Sequence, residues 1–381
     1  MTRQVVLGDL IALAKMRRAG NEDLPILSMT MHGGLIDQAD KFKKRIASAD
    51  TSPYKRVSRD QLVVGFPIDE GVLSFQTLYD EAIVSPAYDV WDLRQPGLIA
   101  SQFLERVLRS PRALAFYRSK LQGTTARRRT IPDDLFLSLP ISLPDISEQV
   151  EVIAILARAD SLRRKRQEAI RLADEFLRAV FIDMFGDPTV NSKSLPTKRV
   201  EELCQVATGA TPSRDRPDFF GGPHPWIKTG EVDCPMILSA EECITESAIR
   251  ETNCKLFPIG TLLVAMYGQG KTRGKVGMLG IPAATNQACA AILPSSNISP
   301  DFLYAQLGLM YEHLRAMGRG GNQENLNLGM IKALEVVVPP TADVERFLSI
   351  RHRTDAMLTK TRPAQEDGER LASSLTSALL G

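Results

Sequence analysis

From Ile146 to Phe185 the chain contains neither proline nor glycine. Ser147 can cap a helix at the start of this run, and Gly186 followed by Pro188 stops it. Apolar residues return at steps of three and four: Ile146, Val150, Ile153 and Ala157, then Ile170, Ala173, Leu177, Val180 and Met184. A helix of this length spans about 60 Å, more than most globular helices. It cannot bury its apolar stripe alone. The pattern therefore predicts a coiled-coil spacer that needs a partner helix of similar length.

The partner is found at the end of the chain. At a shift of 195, Leu139 falls on Leu334, Ile141 on Val336, Leu143 on Val338 and Pro144 on Pro339. Asp160 then falls on Asp355, Lys165 on Lys360, Phe176 on Leu371 and Gly186 on Gly381. A matched order of strand, proline, helix and glycine is an internal repeat. The chain reads as module, helix, module, helix. If the first helix leads from one module to the other, the second runs back. The repeat thus predicts two antiparallel helices and an approximate internal two-fold axis. Pro363 and Gly368 predict a kink or split in the second helix.

Both modules read as mixed α/β. In the first, 61-QLVVGF-66 and 82-AIVSPAYDVW-91 are strand-like, and 98–121 is a helix broken at Pro111. The run 135-LFLSLPISLP-144 reads as an apolar strand ending in proline. The second module, 195–340, is rich in glycine and turn residues, notably 208-TGATPSRDRPDFFGGPHPWIKTGEV-232 and 266-MYGQGKTRGKVG-277.

The residues offer no catalytic constellation. The segment 268-GQGKT-272 ends like a phosphate-binding P-loop, but the position where that motif requires its first glycine is Ala265. No Asn- or Asp-Pro-Pro-aromatic signature of base methylation occurs, and no Glu-x-Lys follows Pro144–Asp145 or Pro217–Asp218 at nuclease spacing. The four histidines are scattered, and the five cysteines lie in the second half without metal-ligand or disulfide spacing. With no secretory signal and no long apolar run, a soluble cytoplasmic protein with free thiols is expected.

Net charge is only +2, but cations cluster. Module 1 carries Lys41, Lys43, Lys44 and Arg45, then Lys55, Arg56 and Arg59, then Arg127, Arg128 and Arg129. Module 2 carries Arg214, Arg216, Lys228, Lys271, Arg273 and Lys275, with Thr211, Ser213, Tyr267 and Gln269 among them. Gln287, Asn322, Gln323 and Asn325 add amides of the kind that read adenine, as arginine reads guanine. Each such residue taken singly is better explained by solvation. Paired basic modules on a rigid spacer point instead to DNA. On the spacer, the collar Arg163, Arg164, Lys165 and Arg166 goes round the whole helix. It is either a solvated ring or a contact to phosphate or to an acidic partner.

The run 140-PISLPDISEQVEVIAILARADSLRRKRQEAIRLADEFLRAVFIDMFGDP-188 resembles the central region of the DNA-specificity subunits of type I restriction–modification systems. So do 208-TGATPSR-214, 221-GGPHPWIKTGEV-232, 286-NQ-287 and 320-GGNQENLNLGMIKALEVVVPP-340. In module 1, 53-PYKRVSRDQLVV-64 and 83-IVSPAYDVW-91 are similar to a second type of target recognition domain. The resemblance implies an α+β fold with two mixed α/β target recognition domains joined by two long antiparallel conserved helices. The expected boundaries are 1–144 and 188–340 for the recognition domains, 145–187 for the central spacer and 341–381 for the C-terminal one.

It further implies a non-catalytic subunit that reads a split DNA target as double-stranded DNA. Such a subunit docks two methyltransferase subunits and, in the full complex, motor–nuclease subunits. No cofactor or metal is expected on this chain, S-adenosylmethionine belonging to the methyltransferase partner, and no membrane contact is expected. Ile153, Leu162, the Arg163–Arg166 collar, Phe176, Val180 and Met184 are the candidate partner-binding residues. The alternative is a structural adaptor that uses the helical pair for protein partners without reading DNA.

Overall fold

In both halves of the chain, the strand that opens a module closes on the strand that ends it. Arg3–Val6 pairs antiparallel with Pro140–Leu143, and Thr197–Arg199 pairs with Glu335–Val337. The structure is a computed structural model and describes residues 2–31, 33–41, 50–121, 131–232, 235–268, 271–317 and 325–360. Residues up to Gln167 form one compact unit and Glu168–Lys360 another.

Each unit carries the same frame. After the first strand comes a single helical turn, Leu7–Leu10 or Val200–Leu203. An acidic side chain caps each turn: Val6 N–H donates to Asp9 at 3.0 Å and Arg199 N–H to Glu202 at 2.6 Å. Leu7 N–H donates to the Leu139 carbonyl at 2.9 Å, and Val200 N–H to that of Leu334 at 3.0 Å. The opening strand and turn thus repeat at a shift of 193, two fewer than the C-terminal part. The strands and turns Asp133–Leu137 and Leu328–Lys332 keep the shift of 195.

The main sheets share a strand order. In the first unit it runs Ile11–Leu13, Asp89–Leu93, Leu62–Val64, Leu73–Phe75, all antiparallel. In the second it runs Val206–Thr208, Cys289–Ile292, Leu262–Ala265, Val276–Leu279. A parallel edge strand, Met236–Ile237, is added there. A helix pair follows the sheet in each: Ser101–Leu108 with Pro111–Lys120, and Pro300–Leu309 with Tyr311–Met317. The expected break before Pro111 is present, with Ser110 accepting from Ala113 N–H at 3.3 Å. Where a strand was expected over 135–144, residues 133–137 form a helical turn and only 140–143 are extended. The acidic pair Asp133 and Asp134 starts that turn, so local charge overrides the apolar run.

The central helix is continuous from Ile146 to Phe185. Its cap is Asp145 rather than Ser147: the Asp145 carboxylate accepts from Glu148 N–H at 3.1 Å and from the Ser147 hydroxyl at 2.6 Å. At its end Gly186 takes φ +79° and donates to the Ile182 carbonyl at 2.8 Å, a left-handed stop that favours glycine. Near the start of the helix the buried stripe is rotated from the expected one. Ile146 and Val150 are exposed, whereas Gln149, Val152 and Leu156 are buried in the first unit's core. In the second unit Phe181 and Phe185 pack with Phe302 and Phe347 at ring separations of 5.0 to 6.1 Å.

Phe347 lies on the helix Thr341–Lys360. Further along, Asp174 feels the charges of Asp355 and Arg351. Rising numbers on one helix thus meet falling numbers on the other, so this stretch of the pair is antiparallel. The positions of Pro363 and Gly368, where a kink was expected, lie outside the described residues. Among the described residues no helix is long and apolar enough to cross a membrane.

Gln149 ties the central helix to the first unit. Its amide donates to the Leu98 and Pro144 carbonyls at 3.1 and 2.9 Å and accepts from Ala100 N–H at 2.9 Å. Replacing it with leucine strands three backbone groups, so Gln149→Leu should lower unfolding free energy by about 3 kcal/mol. Leu162→Ala, at a side chain 63% exposed, should change it by less than about 0.5 kcal/mol. Urea denaturation of the two variants checks the contrast.

Candidate nucleic-acid interface

The segment 208–232 is built around close backbone approach. A Cβ on Gly209 would lie 1.8 Å from the Thr285 carbonyl oxygen, so only glycine lets the loop pass. Ala210 N–H donates to that same carbonyl at 3.0 Å, and the Trp226 indole donates to the Ala210 carbonyl at 3.1 Å. Thr211 is hydrogen-bonded to the Gln287 side chain. The loop therefore leaves Ser213, Arg214 and Arg216 beside a three-stranded sheet, Glu242–Ile244, Phe220–Ile227 and Ala284–Thr285.

On this sheet every candidate cation meets carboxylate. Arg214 is bidentate to Glu242 at 2.7 and 3.2 Å, with its guanidinium 4.5 Å above the Phe220 ring centre and 5.5 Å from that of Trp226. Arg216 is bidentate to Asp218 at 2.8 and 2.7 Å, reaches Glu251 at 3.3 Å and lies 4.2 Å over Phe219. Lys228 contacts Glu241 at 2.8 Å and Glu242 at 3.1 Å. Across 211–251 there are four Lys or Arg and eight Asp or Glu. The local field is acidic, although single residues looked basic.

A second surface of the same unit differs. Lys271, Arg273 and Lys275 lie on a turn docked against the helix Tyr311–Met317. Tyr311 donates its hydroxyl proton to the Lys271 carbonyl at 2.6 Å, and Arg273 donates to the Arg315 carbonyl at 3.5 Å. Gly274 has φ +85°, and a Cβ there would meet Arg315 Cγ at 3.1 Å. Lys271, Lys275, Tyr304 and Tyr311 line a cleft of about 380 Å³, with Val232, Pro235, Gly274, Val276 and Gly308 among its other described lining residues. Tyr267 is 41% exposed. Tyr311 and Arg315 were not singled out from the sequence, because helical residues thirty or more positions away give no local signal of support for a loop.

In module 1 the run Lys55–Arg59 is engaged internally. Lys55 donates to the Tyr88 carbonyl at 2.5 Å, with Asp89 at 3.5 Å. Arg56 pairs with Glu22 at 2.6 Å and with Glu81, and Arg59 pairs with Asp80 at 3.1 Å. Of the remaining candidates, Lys41 ends the short helix Gln38–Lys41, and Asn325 is exposed. Lys43, Lys44, Arg45, Arg127, Arg128, Arg129, Gln269, Asn322 and Gln323 lie outside the described residues. The neighbouring Asn327 caps the turn Leu328–Lys332 by accepting from Met330 N–H at 2.9 Å.

The helix candidates divide. Ile153 packs against the first unit's core, and Val180 and Met184 against the second's. Leu162 and Phe176 are exposed, as are Arg163, Arg164 and Lys165 of the collar. Arg163 lies 3.6 Å from Asp160, which also pairs with Arg106. Among the described residues no His, Cys, Asp and Glu group could hold a metal ion.

Hydrogen bonds from Arg214, then Lys228, hold the Glu242 carboxyl down at about 2, against an ordinary 4.5. A depressed folded-state value stabilises above the unfolded value and loses that stabilisation as pH falls through the folded one. Thermal melts should therefore show the largest gap between wild type and Glu242→Gln above about pH 4.5, with the gap closing towards pH 2.

Residues 193–365 match the family described as type I restriction modification DNA specificity domain. Over 191 residues the chain is 26% identical to the type I restriction enzyme MjaIX specificity subunit of Methanocaldococcus jannaschii, covering 48% of this chain and 43% of that protein. Over 232 residues it is 25% identical to the EcoR124I/EcoR124II specificity subunit of Escherichia coli, covering 58% and 56%. The matches thus span about half the length of these curated relatives. The crystal structure of a type I restriction-modification system S subunit from M. genitalium is alike over 100% of this chain and 96% of that one, with a TM-score of 0.61 at 13% identity. That likeness is one of fold, and it is α+β. The second module is thus similar to the type I restriction modification DNA specificity domain, and the whole chain shares its fold with an S subunit of such a system.

Proposed function

We infer that the chain reads a bipartite DNA target, one module to each half, and docks the methyltransferase subunits of a type I complex. The observation that carries this reading is the frame repeated within one chain. Two modules with the same strand order carry different loops, and an unbroken helix links them. Equal frames with unequal loops suit two half-sites of different sequence. On module 2 the cleft lined by Lys271, Lys275 and Tyr311 suits phosphate, and the Arg214 surface suits base edges.

Leu162, Ile170, Leu172 and Phe176 of the central helix are exposed, and so is Met357 of the second helix. Apolar side chains of this size along a helix suit docked protein, here the two methyltransferase subunits, with motor–nuclease subunits in the full complex. S-adenosylmethionine is then held by the methyltransferase, and this chain supplies no cofactor. The site of action is the cytoplasm, where the DNA is.

The adaptor reading has one observation in its favour: Lys55, Arg56, Arg59, Arg214, Arg216 and Lys228 all have carboxylates within reach. Salt titration of the complex against random duplex separates the two, since a DNA reader shows a steep negative slope and an adaptor none. Inserting one heptad between Arg163 and Glu175 adds about 10 Å of helix, or about three base pairs. Sequencing of methylated sites should show the gap between half-sites lengthened by that amount. An unchanged gap would remove the spacer role.

A further inference from the structure

Building on the DNA-specificity reading, we propose that Glu242 is a positioning residue that makes the DNA contacts of Arg214 and Lys228 depend on base sequence. Glu242 begins its strand directly opposite Trp226 in the antiparallel register. Both of its oxygens are occupied. Oε2 accepts from Arg214 Nη1 at 2.7 Å, and Oε1 accepts from Arg214 Nη2 at 3.2 Å and from Lys228 Nζ at 3.1 Å. One carboxylate thus holds two cations that arrive from different loops. The Phe220 ring at 4.5 Å fixes the plane of the guanidinium, and the fork to Glu242 fixes its edge.

The consequence is a threshold. Phosphate charge is offered by any duplex, whatever its sequence. A guanidinium already matched to a carboxylate gains little from that diffuse field, because it must first surrender two charge-assisted hydrogen bonds. A guanine edge presents two acceptors, O6 and N7, in the fork geometry that a carboxylate also satisfies. Only a partner of that shape replaces Glu242 without loss. The neighbouring cation is held the same way, since Arg216 is paired with Asp218 and Glu251. Sequence-independent attraction falls to the loop with Lys271 and Lys275. Affinity and discrimination are thus placed on separate surfaces of one module, and discrimination arises from a built-in competitor.

The test uses the full chain as wild type, Glu242→Gln and Glu242→Asp. Each is titrated against a random-sequence duplex of about 30 base pairs over a salt series and then used to select from a randomised duplex library. Glu242→Gln should bind random duplex roughly three- to tenfold tighter near 0.1 M salt, with a log–log salt slope steeper by about one to two. Its selected sequences should lose base preference in one half-site. Glu242→Asp, which keeps the charge, should retain wild-type slope and selectivity. Adding Arg214→Ala to Glu242→Gln should remove about half of the added slope.

An unchanged slope and selectivity in Glu242→Gln overturns the proposal. Equal weakening for random and selected duplex also overturns it, because that marks a purely structural carboxylate. A wild-type chain without salt-dependent DNA binding would overturn the specificity reading itself and the proposal with it.

Discussion

Phe181 and Phe185 of the central helix share one aromatic packet with Phe302 and with Phe347 of the C-terminal helix. At the other end, Val152, Leu156 and the hydrogen-bonded Gln149 seat the same helix in the first unit's core. A forty-residue helix held only by its own hydrogen bonds would fray, since an exposed helix has little stability beyond its packing. Burial at both ends makes it part of two cores. Its middle, with Leu162, Ile170 and Phe176, is left exposed. The division between units falls within this helix, at Gln167, because that is where one core's contacts end and the other's begin.

The repeated frame explains how surface chemistry can differ between the halves without changing the fold. In both units the opening strand, its capped turn and the closing strand are tied by backbone hydrogen bonds. The sheet interior is apolar in both. Loops inserted between these strands are free to vary. In the first unit they produce ion pairs among Arg17, Arg56, Glu22 and Glu81. In the second they produce an added three-stranded sheet with aromatic-stacked arginines. This separation lets the loop surface change while the core stays packed.

Much of the architecture was legible in the residues. The helix bounds followed from Gly186, Pro188 and the absence of breakers before them, and the break at Pro111 followed from its missing N–H. The repeat was visible only in its C-terminal part. The opening strand and turn shift by 193 instead of 195, so a gap-free comparison misses them. In its first turns the helix face was misjudged by one position because hydropathy counts Gln149 as polar, whereas three hydrogen bonds make it a core residue. The role of the cations was least legible. Arg214 meets a carboxylate 28 residues away and Arg56 one 34 residues away, and nothing local announces either pair.

The sequence by itself determined a two-module chain with a long breaker-free helix, and its motifs pointed to DNA specificity, because proline, glycine and apolar spacing act through short-range backbone sterics and period. Only the tertiary structure decided which face of that helix is buried and that the frame is repeated in full. It also decided that Arg214, Arg216 and Lys228 are matched by acids while Lys271 and Lys275 line a cleft elsewhere on the same unit. Those features depend on which distant side chains come within hydrogen-bonding reach, and that is set by packing.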